Sequence, residues 1–236
     1  MQTDRYKTIY ANHASAYDEL IAAEDCEQNL LPALRSAIEA KGLRALDIGA
    51  GTGRCSRLLL ASGVEHVTVT DASQAMLDVA QSHLERDWSG PERSRWSITQ
   101  AEASTLPFGD ASFDLAVAGW VYGHTIKWQP DNWQAAILAA LAEARRVLVP
   151  QGRLIVFETL GTARAEPGPP NAGMQEYYAL LQAQGFRQTV LATDYQFADV
   201  DTAARVCGFF FGQTKADRIR EQGWTRVPEW TGMWIR

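Results

Sequence analysis

Three glycines at alternate positions, Gly49, Gly51 and Gly53, follow directly on an apolar segment in the stretch LRALDIGAGTGR, residues 43–54. Ala45, Leu46 and Ile48 read as the end of a buried strand. A glycine turns sharply and lets a ligand approach the backbone, because no Cβ stands in the way. From Arg54 to Leu60 the pattern is helical, and a helix start offers free N–H groups. Strand, glycine turn and helix together form the first half of a nucleotide-binding βαβ unit.

The spacing bears on which nucleotide. The dinucleotide fingerprint G-x-G-x-x-G requires a glycine three residues after Gly51, where Arg54 stands. The order here is D-x-G-x-G-x-G, with Asp47 two residues ahead of Gly49. This resembles the first motif of the class I S-adenosylmethionine (SAM)-dependent methyltransferases. The resemblance implies that Asp47, Gly49, Ala50, Gly51 and Gly53 wrap the methionine part of SAM.

Downstream segments extend the resemblance. The β-branched run HVTVT, residues 66–70, ends at Asp71, 20 residues past Gly51. Doubly wound folds place an acid at such a strand end, where it accepts bonds from both ribose hydroxyls. A turn or cap role for Asp71 is the alternative. The helix that follows, DASQAML, is similar to the family's D-x-S-x-x-M-L, and implies that Ala72 and Met76 border the adenine. Met76 also fits as core filler. AEASTLPFGDASFD, residues 101–114, is similar to the family's G-D-A-x-x-L-P-F-x-x-x-x-F-D. Aligned on Leu106–Phe108, Glu102 takes the aspartate's place and would accept from the adenine amine, with the Ala103 N–H beside it. Glu102 as a solvated surface acid is the alternative. RRVLVPQGRL, residues 145–154, is similar to the family's R-V-L-K-P-G-G-x-L turn. The chain is most similar to the group that includes the ubiquinone/menaquinone-biosynthesis methyltransferases and many small-molecule enzymes.

Phe113–Gly119, FDLAVAG, is nearly continuously apolar, as a central parallel strand is. Open α/β sheets bind ligands beyond the carboxyl ends of their strands. Gly119, Trp120, Tyr122 and His124 therefore face cofactor and acceptor. His124 is either a general base or a polar positioning residue. Glu158, near the end of a strand over Leu154–Thr159, is either a second acceptor contact or a structural hydrogen bonder. Trp120, Tyr122, Trp128, Tyr177 and Tyr178 are candidates for an aromatic wall.

Residues 1–40 read as helical, with a break near Glu24 and Pro32 opening a second helix. Tyr6, Tyr10, His13 and Tyr17 share a face if that helix is continuous. The stripe either packs on the domain or lids the site. AxxYDxL, residues 14–20, resembles the N-terminal helix of small-molecule methyltransferases, in which the tyrosine matching Tyr17 faces SAM. A Gly- and Pro-rich loop over 161–173 is expected to be mobile and to fold over substrate. A helix over 174–184, a strand over 187–197, a helix over 199–211 interrupted at Gly208, and a last strand after Pro228 complete the reading. Asp131 or Asn132 is expected to cap the helix running to Arg146.

The expected fold is one α/β domain over 1–236: a Rossmann-like, seven-stranded, mostly parallel sheet with an antiparallel C-terminal strand and helices on both faces. Residues 1–40 form a helical lid, 41–160 the SAM-binding core, and 161–236 a loop, helices and closing antiparallel strands. With 236 residues, 46% of them apolar, the chain can bury a sizeable core. A net charge of -6 with scattered basic residues argues against nucleic-acid and membrane partners. Three cysteines point to no zinc cluster or disulfide framework, no metal is expected, and a reducing cytoplasm fits. The polar N-terminus does not read as a signal peptide, and no apolar run reaches spanning length. The expected activity is methyl transfer from SAM to a small-molecule acceptor. A nicotinamide-dependent oxidoreductase and a non-catalytic SAM-binding module are the alternatives. The acceptor, the methylated atom and the oligomeric state stay open.

Overall fold

The computed structural model describes residues 5–236. Expectations resting on residues 1–4, including the very start of the lid, lie outside them. In chain order the elements are α1 (Arg5–Asn12), α2 (Ala14–Ala23), α3 (Leu30–Ala37), β1 (Arg44–Ile48), α4 (Arg54–Ser62), β2 (His66–Asp71) and α5 (Gln74–Asp87). β3 (Trp96–Gln100), β4 (Phe113–Gly119), α6 (Thr125–Trp128), α7 (Trp133–Arg146) and β5 (Leu148–Thr162) follow. The chain closes with α8 (Ala172–Ala183), β6 (Arg187–Ala192), β7 (Tyr195–Gln196), α9 (Val200–Phe211), α10 (Gln213–Gln222), β8 (Arg226–Val227) and β9 (Glu229–Ile235).

The seven-stranded sheet has the order β3-β2-β1-β4-β5-β9-β6. β1 to β5 pair in parallel, and β9 runs antiparallel between β5 and β6. The expected architecture is therefore the observed one. Alternation along the central strands explains why both faces are covered. Ala116, Ala118, Leu154 and Val156 point into a core shared with α7 and α8. Their neighbours Leu115, Val117, Ile155 and Phe157 point into a second core beneath α3, α4 and α5. A third cluster joins Leu20 of α2 to Tyr195, Val206, Ala216, Ile219 and Val227.

Several boundaries differ from the sequence reading. The N-terminal helix breaks at His13, which leaves helical geometry at φ -134, so α1 and α2 are separate. The strand expected over 154–159 starts at Leu148, since the family-like turn continues the β4 pairing after an irregularity. The strand expected over 187–197 splits: β6 stays in the main sheet, while β7 pairs with β8 in a two-stranded sheet. α9 runs through Gly208 uninterrupted. There the absent side chain admits α10, since a Cβ would lie 2.8 Å from that of Ala216. α10 itself was not foreseen. The Gly/Pro stretch is shorter than expected, with Gly161 and Thr162 in β5 and Ala172 already in α8. Neither Asp131 nor Asn132 caps α7 through a side chain: Asn132 occupies the N-cap position and makes no such bond. Pro32 sits inside α3, which begins two residues earlier, at Leu30.

Candidate active site

Two adjoining cavities open at the carboxyl ends of the parallel strands. The larger, about 980 Å³, is a cleft bounded by Gly49–Thr52, Asp71–Met76, Ala101–Ser104 and Gly119–Tyr122. The smaller, about 440 Å³, lies under α1, α2 and α9. Tyr10, Tyr17, Ile21, Arg54, Trp120 and His124 line both. A ligand in the cleft and a second one in the smaller cavity would meet across these six side chains.

The glycine turn is shaped for close approach. Gly49 and Gly51 have φ of +65 and +55, in the region that disfavours a Cβ. A Cβ on Gly49 would lie 2.6 Å from Val121 Cγ2, so this glycine serves packing as well as conformation. A Cβ on Gly51 would meet only the Tyr17 ring, at 3.7 Å. Asp71 braces the turn from β2: its Oδ2 accepts from the Gly51 N–H at 2.9 Å and its Oδ1 from the Ser73 N–H at 2.8 Å. Burial pushes its pKa up while these N–H donors pull it down. The side chain of Ser73 caps α5 by accepting from the Met76 N–H.

Of the residues assigned to the cofactor, Tyr17, Gly49, Ala50, Gly51, Asp71, Ala72, Met76, Glu102, Ala103, Gly119 and Trp120 all line the cleft. Asp47 and Gly53 line neither cavity. Asp47 is wholly buried under the turn, where its Oδ2 accepts from Ser56 Oγ at 2.6 Å and its Oδ1 has no partner. Burial, the largest influence, raises its pKa to about 7. Gly53 is needed by the fold instead, because a Cβ there would lie 3.1 Å from that of Ala80 in α5. Glu102 is exposed at the rim, in an isolated bridge with Thr105.

The three catalytic candidates fall around the junction. His124 Nε2 lies 2.8 Å from the Tyr10 hydroxyl, and its ring stacks on Trp128 with centroids 5.0 Å apart. Glu158 is 3% exposed, and its Oε1 accepts from the Gly123 N–H at 2.9 Å and the Tyr177 hydroxyl at 3.2 Å. Burial raises Glu158 to about 7, so it exchanges a proton near neutrality. Tyr122 lines the cleft with its buried hydroxyl unpartnered, and burial keeps that hydroxyl protonated. Of the aromatic-wall candidates, Trp120, Tyr122 and Trp128 line the cleft, while Tyr177 and Tyr178 line neither cavity. Tyr177 supports Glu158 from behind, and the Tyr178 hydroxyl donates to the Thr159 carbonyl.

The break at His13 does not scatter the N-terminal stripe. Tyr6, Tyr10 and Tyr17 gather around Phe210, at centroid distances of 5.0, 6.3 and 5.3 Å. His13 leaves that group and packs edge-on against Phe209.

Sequence reasoning missed a charged wall. Arg54, noted only as a missing glycine, makes a 2.6 Å ion pair with buried Glu24 and stacks 3.7 Å over Trp120. Trp120 is held at φ +57, a conformation that non-glycine residues seldom adopt, and stacks in turn on Phe157. Glu229 lines the smaller cavity at 2% exposure, and its Oε1 accepts from Thr159 Oγ1 at 2.6 Å. Burial, then neighbouring Glu24, raise Glu229 to about 8. Arg164 and Lys215 line the same cavity. The signal available for Glu229 was a lone acid opening an apolar strand.

A parallel sheet of this order, with a glycine turn after β1 and an acid at the end of β2, defines the Rossmann-like class of nucleotide-binding folds. Residues 46–156 match the family described as "Methyltransferase domain". It is 32% identical to a demethylmenaquinone methyltransferase of Clavibacter sepedonicus over 61% of this chain and 57% of that one. It is 37% identical to a ubiquinone/menaquinone biosynthesis C-methyltransferase of Paracoccus denitrificans over 50% of this chain and 42% of that one. The chain thus spans about half the length of the curated relatives it matches. In fold it is similar to the YcgJ protein of Bacillus subtilis, with a TM-score of 0.58 at 19% identity, covering 87% of this chain and 95% of that one.

Proposed function

We propose that this protein transfers a methyl group from SAM to a small-molecule acceptor, with SAM in the larger cleft and the acceptor in the smaller cavity. The observation that carries this reading is the junction: Tyr10, Tyr17, Arg54, Trp120 and His124 border both cavities at the carboxyl edge of the sheet. The relatives named as a demethylmenaquinone methyltransferase and a ubiquinone/menaquinone biosynthesis C-methyltransferase support a small-molecule acceptor. Three unpaired cysteines fit a reducing cytoplasm.

The residues of the cleft fit SAM. At Gly51 the absent Cβ leaves room for a ligand's methionine part beside the Tyr17 ring, and Asp71 offers a half-buried carboxylate to ribose hydroxyls. Glu102 and Ala103 suit the adenine edge, and Ala72 and Met76 its faces. The sulfonium of SAM supplies a methyl group already activated for displacement. The chain's own task is alignment, exclusion of water and management of one proton. Trp120, Tyr17 and Tyr10 wall the junction with aromatic surface. His124 and Glu158 stand where an acceptor's proton leaves, and Glu158 near pKa 7 accepts it at neutral pH. The Tyr10 hydroxyl fixes the imidazole of His124 in place.

Titration calorimetry with SAM, S-adenosylhomocysteine and NADP tests the cofactor. SAM binding with no NADP binding is expected, and the reverse ends the reading. Incubation with methyl-labelled SAM and a metabolite panel tests the chemistry. Tight binding with no transfer to any acceptor would favour a non-catalytic module instead.

A further inference from the structure

Arg164 and Lys215 are cations of the smaller cavity that the methyl-transfer chemistry does not use. We propose that the acceptor carries a carboxylate, held by Arg164 and Lys215; this rests on the assignment of the smaller cavity to the acceptor. Both side chains line that cavity and neither lines the cofactor cleft. Neither makes an ion pair among the described residues; their hydrogen bonds go to backbone carbonyls alone. Lys215 Nζ donates to the Thr162 carbonyl at 2.6 Å. Arg164 donates weakly to the carbonyls of Gly168 and Pro169, at 3.4 and 3.2 Å.

The backbone is shaped to put Arg164 there. β5 departs from regular pairing between Thr159 and Gly161, and Gly161 has φ +125. A Cβ on Gly161 would lie 2.7 Å from Arg164 Cδ, so the arginine stem crosses the strand only because this residue is glycine. Ala163, fully buried, sits at φ +55 and turns the chain between them. Strain of this kind persists where surrounding structure over-determines it, and it clusters at ligand clamps.

The electrostatics favour an anion over a cation. Lys215 is depressed by burial first and then by Arg218; Glu229 pulls it back up, and Arg164 lowers it further, so like charges outnumber the opposing one. The carboxyls sharing the cavity offset these charges only in part. Glu24 is committed to Arg54. Glu229, raised to about 8, keeps its proton at neutral pH, and Glu158, at about 7, keeps it about half the time. A carboxylate entering the cavity would gain charge-assisted bonds from two partly desolvated donors. A protonated amine would meet two cations and find few ionised acids.

Benzoate and its neutral isostere benzamide are the probes, titrated calorimetrically into protein saturated with S-adenosylhomocysteine. Benzoate is expected to bind roughly tenfold or more tightly than benzamide, the worth of one charge-assisted bond. In the double variant Arg164→Gln/Lys215→Met the two should bind within about twofold of each other. If that variant does not fold, judged by its thermal midpoint, Lys215→Met alone should still narrow the preference, and Lys215→Arg should retain it. Absence of benzoate binding, absence of a preference, or a preference surviving the substitutions overturns the proposal. Binding of S-adenosylhomocysteine, measured first in the same samples, separates the two readings. If it fails, the methyl-transfer assignment fails; if it holds without a benzoate preference, only the carboxylate is lost.

Discussion

Replacing Asp47 by asparagine should flatten the pH dependence of stability, because this carboxyl is buried with one oxygen unpartnered. Its pKa is raised to about 7 in the fold, chiefly by burial, against a value near 4 in the unfolded chain. Between those values the folded state holds a proton that the unfolded state has lost. Stability contributed by this group therefore falls as pH rises, and levels off above about 7. At about 1.4 kcal/mol per pH unit, the whole interval corresponds to about 4 kcal/mol. About 2 kcal/mol of it falls between roughly pH 5.5 and pH 8.5. Asparagine is neutral throughout, so any cost of its amide group is the same at both pH values. The assay is urea unfolding of wild type and Asp47→Asn, followed by tryptophan fluorescence at about pH 5.5 and about pH 8.5. Glu158 and Glu229 are raised in the same sense, but they are present in both proteins and cancel in the difference. The variant should gain about 2 kcal/mol on wild type between the two conditions. A difference constant to within about 0.5 kcal/mol would refute the claim that Asp47 is protonated in the fold at the lower pH.

Asp71→Ala removes a carboxylate that braces Gly51 and faces the cleft, so S-adenosylhomocysteine should bind at least about tenfold more weakly by calorimetry; unchanged affinity would reject the ribose assignment. His124→Ala should lower turnover about a hundredfold with little change in SAM affinity, and equal turnover would remove His124 from the mechanism. Gly49→Ala forces a Cβ to 2.6 Å from Val121 at φ +65. Backbone strain and overpacking together should cost about 2–5 kcal/mol, read as a lowered unfolding midpoint.

The larger cleft was legible along the chain, because its walls are built from short local segments. A glycine turn, the acid ending β2 and the segment after β3 each carry their geometry within a dozen residues. Parallel pairing then sets all three at one sheet edge, as β1 lies between β2 and β4. Asp47 and Gly53 line neither cavity, because alternation along a strand and packing under a turn decide which side chains reach one. Neither is visible in a motif. The seven-stranded order was equally accessible, since continuous apolar strands separated by amphipathic helices leave few topologies.

The smaller cavity was decided by tertiary structure. Tyr10 meets His124 across 114 positions, Arg54 meets Glu24 across a helix and a strand, and Glu229 meets Thr159 across 70. No period or spacing encodes such meetings: the first two depend on where the N-terminal helices come to rest on the sheet, and the third on the register of β9 beside β5. The shifted acidities of Glu158 and Glu229 arise there too, since burial is a property of the assembled cavity and not of the residue. The chain by itself therefore specified a nucleotide turn on a doubly wound sheet, through local backbone chemistry. Only folding, by desolvating acids and cations drawn from distant segments, produced the chamber beside it.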